Sequence, residues 1–149
     1  MRSLPFAALL ALAACQSAAP LPAAGTGLDH AALHVSDLSA SVAFFERVFG
    51  LDEIPAPGDP EVIRWLGLDG AELHLIRYDG DVPATTKAVH FALRVPDLDT
   101  LVDRVEALGV PYSDWPGAPS ALSVRGDGVR QIYVRDPDGY WIEVNDVTR

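Results

Sequence analysis

Histidine is scarce in this chain, four among 149 residues, and all four fall inside two repeated patterns. His30-Ala-Ala-Leu-His34-Val-Ser-Asp37-Leu returns as His90-Phe-Ala-Leu-Arg94-Val-Pro-Asp97-Leu. Asp69-Gly-Ala-Glu-Leu-His74-Leu returns as Asp138-Gly-Tyr-Trp-Ile-Glu143-Val, which puts His74 and Glu143 in equivalent places. Duplicated units usually pack about a pseudo-twofold axis, so His30, His74, His90 and Glu143 are expected to converge. Three imidazoles and a carboxylate are donors for one divalent metal ion: zinc, nickel, iron, manganese or cobalt. Such an ion binds two neighbouring oxygens of a substrate, polarises a carbonyl and stabilises the enediolate of a proton-shift reaction. Glu143, a carboxylate beside the metal, is the group to take the proton if it leaves the metal when substrate arrives. His74 is the fourth ligand or, alternatively, a hydrogen-bonding residue of the pocket.

The elements that must carry these side chains follow from hydropathy. Each half reads as a strand, a helix and three more strands. Leu28–Val35 and Ala88–Val95 alternate as strands. Leu38–Phe49 and Leu98–Leu108 have helical apolar spacing, with Asp37 or Ser36 as a cap for the first and Gly50 and Gly109 just past the ends. Leu51–Ile54, Val62–Leu68 and Ala71–Tyr78 complete the first half, the last two joined at Asp69-Gly70. Ala121–Val124, Val129–Arg135 and Tyr140–Asn145 complete the second, with a type I turn at Asp136-Pro137-Asp138-Gly139; Val110–Pro119 is turn-rich. Strand alternation puts Leu33, Val35, Leu73, Leu75, Ile142 and Val144 under the helices, and every histidine on the opposite, concave face. His34 and its equivalent Arg94 lie one rung from the ligands, with Trp141 beside Glu143; these three are candidates for substrate contact. Glu72 reads as a rim charge, and Trp65 and Trp115 as packing or loop anchors.

Composition narrows the function classes. The formal net charge is −10 and Lys87 is the only lysine. Nucleic acid and anionic lipid surfaces both require a basic footprint that this chain lacks. A small-molecule substrate remains. Met1–Ala14 reads as a leader: Arg2 is its positive start, and its apolar run is shorter than the roughly 20 residues a spanning helix needs. Leu12-Ala13-Ala14-Cys15 resembles the lipobox of bacterial lipoproteins, which implies lipidation of Cys15 and a lipid anchor as the only membrane contact. Gln16 after the cysteine is similar to lipoproteins sorted to the outer membrane, so the expected location is the cell envelope, on the periplasmic side. Residues 15–27 then form a lipidated tether and 28–149 the folded domain. With Cys15, the single cysteine, modified, disulfides, thiol nucleophiles and cysteine-ligated zinc are excluded.

These motifs resemble the vicinal oxygen chelate superfamily, which includes glyoxalase I, extradiol dioxygenases and the fosfomycin- and bleomycin-resistance proteins. The opening His-x-x-Leu-x-Val-x-Asp-Leu, Phe44–Leu51 and Arg135–Glu143 carry the resemblance, which spans Leu28 to about Val147. It implies an α+β fold in which two βαβββ modules form an open, cupped, mixed β-sheet with the helices on the convex side. It also implies ligands on the first and last strands of each module, the positions of His30, His74, His90 and Glu143. Bacterial glyoxalase I usually has glutamate where His74 stands. The implied activity is a glyoxalase-like lyase or isomerase. An iron-dependent extradiol-type dioxygenase, using His30, His90 and Glu143, and a metal- or antibiotic-binding protein without turnover are the alternatives. Relatives close the cup within one chain or exchange modules between the two chains of a homodimer, and both arrangements are open here.

Overall fold

A computed structural model describes residues 27–82 and 85–148. The leader, Cys15 and all but the last residue of the tether lie outside the described residues. The first module runs β1 (His30–Val35), α1 (Leu38–Phe49), β2 (Glu53–Ile54), β3 (Ile63–Leu68) and β4 (Ala71–Arg77). The second runs β5 (His90–Arg94), α2 (Leu98–Ala107), β6 (Tyr112–Ser113), β7 (Ser123–Val124), β8 (Arg130–Arg135) and β9 (Trp141–Asn145). The first module has the expected order of strand, helix and three strands, and the second has four strands after its helix, one more than expected. A short strand, β6, lies inside the stretch read as turn-rich, because Tyr112 and Ser113 pair with Val134 and Tyr133.

Each module has its own open sheet, ordered β1-β4-β3-β2 in the first and β5-β9-β8-β6 in the second, with β7 also pairing β8. The first strand of each module pairs in parallel with its last strand, so the intervening helix crosses over one face. This leaves β1 and β5 at the edges of their sheets.

Of the two residues expected to cap the first helix it is Asp37 that does so, and Asp97, which the sequence reading did not single out as a cap, starts the second. The Asp37 carboxylate accepts from Ala40 N–H, and the Asp97 carboxylate accepts from Asp99 and Thr100 N–H; such a cap is worth about 1 kcal/mol. Gly50 closes α1 at φ +69°, a left-handed conformation that a Cβ would strain. In α1, Leu38, Val42, Phe45 and Val48 form the buried stripe, and Leu98, Leu101 and Val105 do so in α2. They meet Leu33, Val35, Leu73 and Leu75 from the first sheet and Ile132, Val134, Ile142 and Val144 from the second in one continuous core. Burying each such side chain contributes roughly 1.5–3 kcal/mol. Across the modules, Ser36 N–H donates to the Asp138 carboxylate at 3.1 Å, and Arg104 donates to the Val48 carbonyl at 3.5 Å. The alternation expected of the strands is therefore realised. One face of each sheet feeds a shared core, and the other leaves His30, Ala32 and His34, and His90, Ala92 and Arg94, exposed.

Candidate metal and catalytic site

The four candidate ligands are brought together as two pairs, one on each sheet. In the first module Ala32 is in register with His74, which places His30 and His74 on neighbouring strands with their rings stacked, centroids 4.2 Å apart. Trp65, directly across from His74 on β3, stacks on the other face of that ring at 4.0 Å. His74 is thus sandwiched and only 8% exposed. In the second module His90 Nε2 lies 3.3 Å from Glu143 Oε2. Among the described residues no three histidine, cysteine, aspartate or glutamate side chains gather into a metal-binding group within one chain.

Each of the three histidines is held through one ring nitrogen. His30 Nδ1 donates to Asp29 Oδ2, His74 Nε2 to Glu72 Oε2, and His90 Nδ1 to the Lys87 carbonyl, all at 2.7 Å. This is the pattern by which outer-shell acceptors fix the tautomer of a metal-ligating imidazole and raise its basicity. It leaves His30 Nε2, His74 Nδ1 and His90 Nε2 as the nitrogens with a lone pair to offer. Glu72, expected as a rim charge, is thus a partner of His74.

Glu143 is 6% exposed, yet it is surrounded by donors. Tyr133 Oη–H donates to Oε2 at 2.6 Å and Asn145 Nδ2 to Oε1 at 2.7 Å, while Arg125 Nη1 stands 3.6 Å from Oε1. Burial alone would push this carboxyl up; the bonds from Tyr133 and Asn145, then His90 when its ring is protonated, and the charge of Arg125 outweigh it, holding the group below the ordinary glutamate value. Burial, and then the bond to Glu143, push the Tyr133 phenol up, so Tyr133 stays a donor. The donor set of the two pairs, imidazole nitrogen plus ionised carboxylate, fits a divalent cation.

The three candidates for substrate contact lie at different distances from this chemistry. His34 stacks on Tyr78 at 4.6 Å, and Arg94 is paired with Asp69 at 3.0 Å across the modules. Trp141 is in register with His90, and its ring lies under the cations of Lys87 at 4.7 Å and Arg135 at 4.2 Å. Sequence reasoning missed Tyr133, Asn145, Arg125 and Lys87, and it treated Trp65 as packing. The signal for Trp65 and Tyr133 was the strand before each ligand: Trp65 faces His74 and Tyr133 faces Glu143 in the same hairpin register.

Residues 27–144 match the family described as Glyoxalase/Bleomycin resistance protein/Dioxygenase superfamily. A Bacillus subtilis protein, uncharacterized protein YwbC, is 29% identical over 78% of this chain and 94% of its own. A probable lactoylglutathione lyase of Vibrio cholerae is 29% identical over 77% of this chain and 86% of its own. Among solved structures, oxidase ChaP-H2 superposes with a TM-score of 0.69 at 25% identity, over 83% of this chain and 95% of that one.

Proposed function

Since the chain belongs to the glyoxalase/bleomycin resistance protein/dioxygenase superfamily, we propose that it is a divalent-metal-dependent enzyme of the glyoxalase type. Its reaction is a proton shift, as lyase or isomerase, on a small molecule with vicinal oxygens. The observation that carries this reading is the pinning of three imidazoles, each through one nitrogen at 2.7 Å, with one of them, His90, 3.3 Å from an ionised Glu143.

Each site in this reading is built from two copies of the chain. One copy offers His30 and His74, the other His90 and Glu143, and a twofold dimer completes two sites at once. Three features support it: β1 and β5 are both edge strands, their ligand faces are exposed, and the apolar Leu28 and Val89 beside them are 71% and 66% exposed. When bound, the ion supplies Lewis-acid polarisation of the substrate oxygens. Glu143 takes the proton from the hydroxyl-bearing carbon beside the carbonyl and returns it to the former carbonyl carbon, while the hydroxyl proton passes to the former carbonyl oxygen. Tyr133 and Asn145 hold its oxygens in place and keep it ionised between turnovers.

Mixing tests the arrangement. A His30→Ala/His74→Ala chain and a His90→Ala/Glu143→Gln chain are each expected to bind no ion. Refolded together in equal amounts, they regain about a quarter of the wild-type sites, since half the dimers are mixed and each carries one intact site. No recovery would exclude the shared site.

The likeness to an oxidase favours a second reading, iron(II) chemistry with dioxygen on a catechol-like substrate. Oxygen uptake that requires iron(II) would select it over the proton shift.

A further inference from the structure

We propose that Lys87, the single lysine of the chain, is a positioning residue that sets the ring orientation of His90. This rests on the reading of His90 as a metal ligand. An ordinary surface lysine pairs with carboxylates, and this chain has 21 acidic residues to offer. Lys87 instead sends its ammonium to three neutral oxygens: Ser113 Oγ at 2.9 Å, the Asp114 carbonyl at 2.7 Å and the Trp115 carbonyl at 3.3 Å. An ammonium has three hydrogens, so these partners exhaust it. The same nitrogen lies 5.2 Å from the Tyr133 ring centroid and 4.7 Å from that of Trp141.

The main chain of Lys87 does the complementary work. Its carbonyl receives His90 Nδ1–H at 2.7 Å, which keeps Nε2 turned toward Glu143 at 3.3 Å. One residue therefore joins the turn leading into β5 to the loop after β6, and fixes the acceptor that selects the His90 tautomer. That loop also carries Trp115, whose ring stands edge-on to His90 at 6.3 Å and 5.5 Å from Tyr133. Without the ammonium anchor, the turn loses its hold on the loop and the carbonyl its fixed direction.

Nitrogen–proton correlation spectra of the histidine rings test this in the full chain. Wild-type protein is expected to show His90 as one tautomer protonated at Nδ1. Lys87→Met is expected to give mixed tautomers at His90, unchanged His74 signals and at least about tenfold weaker zinc(II) binding in titration with the metal alone. Ser113→Ala, which removes one of the three acceptors, is expected to fall between wild type and Lys87→Met. It also keeps the proposal testable if Lys87→Met does not fold. Identical His90 spectra in wild type and both variants would overturn the positioning role. Absence of zinc binding in the wild type would instead sink the metal reading, while the tautomer spectra still decide the role of Lys87.

Discussion

Glu143 shows how a nearly buried side chain can stay charged. The cost of removing a carboxylate from water is offset by two short bonds, from Tyr133 and Asn145, and by the nearby positive charge of Arg125. Glutamine at this position keeps the shape but removes the charge and the basic oxygen. It cannot accept from both Tyr133 and Asn145 in the same way. In the proposed reaction Glu143→Gln is expected to lower turnover by about two to four orders of magnitude, measured as kcat with the best substrate of a screen. Activity near wild type would remove Glu143 from the role of base. At this scale the sequence was informative where the repeat is in phase: His30 with His90, and His74 with Glu143. The repeat falls out of phase one strand earlier, because the two hairpins differ in turn length. Leu68 pairs with Ala71 around Asp69-Gly70, whereas Arg135 pairs with Trp141 around five residues. Carrying Trp65 forward by the spacing from His74 to Glu143 lands on Val134, a core residue, when its structural counterpart is Tyr133. A single-residue slip on a strand exchanges the faces.

Among the elements, the turn between β8 and β9 concentrates the most unusual electrostatics. The Asp136 carbonyl accepts from Gly139 N–H, as the type I turn requires, and its side-chain Oδ1 accepts from Asp138 and Tyr140 N–H. Oδ2 is buried with no partner. Burial, with a further push from the neighbouring Asp138, outweighs those backbone bonds and raises the Asp136 carboxyl to about 6. A folded-state value above the unfolded one gives stability that is full below about pH 4 and is lost as pH rises through about 6. At neutral pH the ionised Asp136 is thus a liability, while the turn it shapes also supplies Asp138 to Ser36 of the first module. Asp136→Asn keeps the Oδ1 acceptor and cannot ionise. It is expected to stabilise the protein by on the order of 2 kcal/mol at pH 7.5, with the gain vanishing near pH 4, as followed by urea unfolding across pH. A gain independent of pH would refute the ionisation account. The turn itself was readable from Asp-Pro-Asp-Gly. The partnerless oxygen was not, because its burial depends on what packs over the turn.

For the whole molecule, the arrangement of modules matters more than the modules themselves. Helices and core join the two halves of one chain, while β1 and β5, which carry His30 and His90, stay at the edges of their sheets, and each sheet holds one of the two pairs of candidate ligands. Among the described residues no helix is long and apolar enough to cross a membrane. We propose, on the lipobox-like Leu12-Ala13-Ala14-Cys15, that acylation of Cys15 anchors the chain to a membrane. In a bacterial host, Cys15→Ser is expected to shift the protein from the membrane pellet to the soluble fraction. An unchanged distribution in that variant would exclude the anchor.

The sequence alone determined the duplicated strand–helix–strand pattern, the helix caps, the face each histidine occupies and the family. These follow from local rules, since period, capping chemistry and turn residues act over a few positions. Only the tertiary structure decided that the four candidate ligands fall into two pairs, that Trp65 stacks on His74 and Tyr133 bonds to Glu143, and that Lys87 donates to neutral oxygens beside His90. Those outcomes depend on strand register and on which edges remain unpaired. Both are set by packing between residues far apart in the chain, where no spacing in the sequence records them.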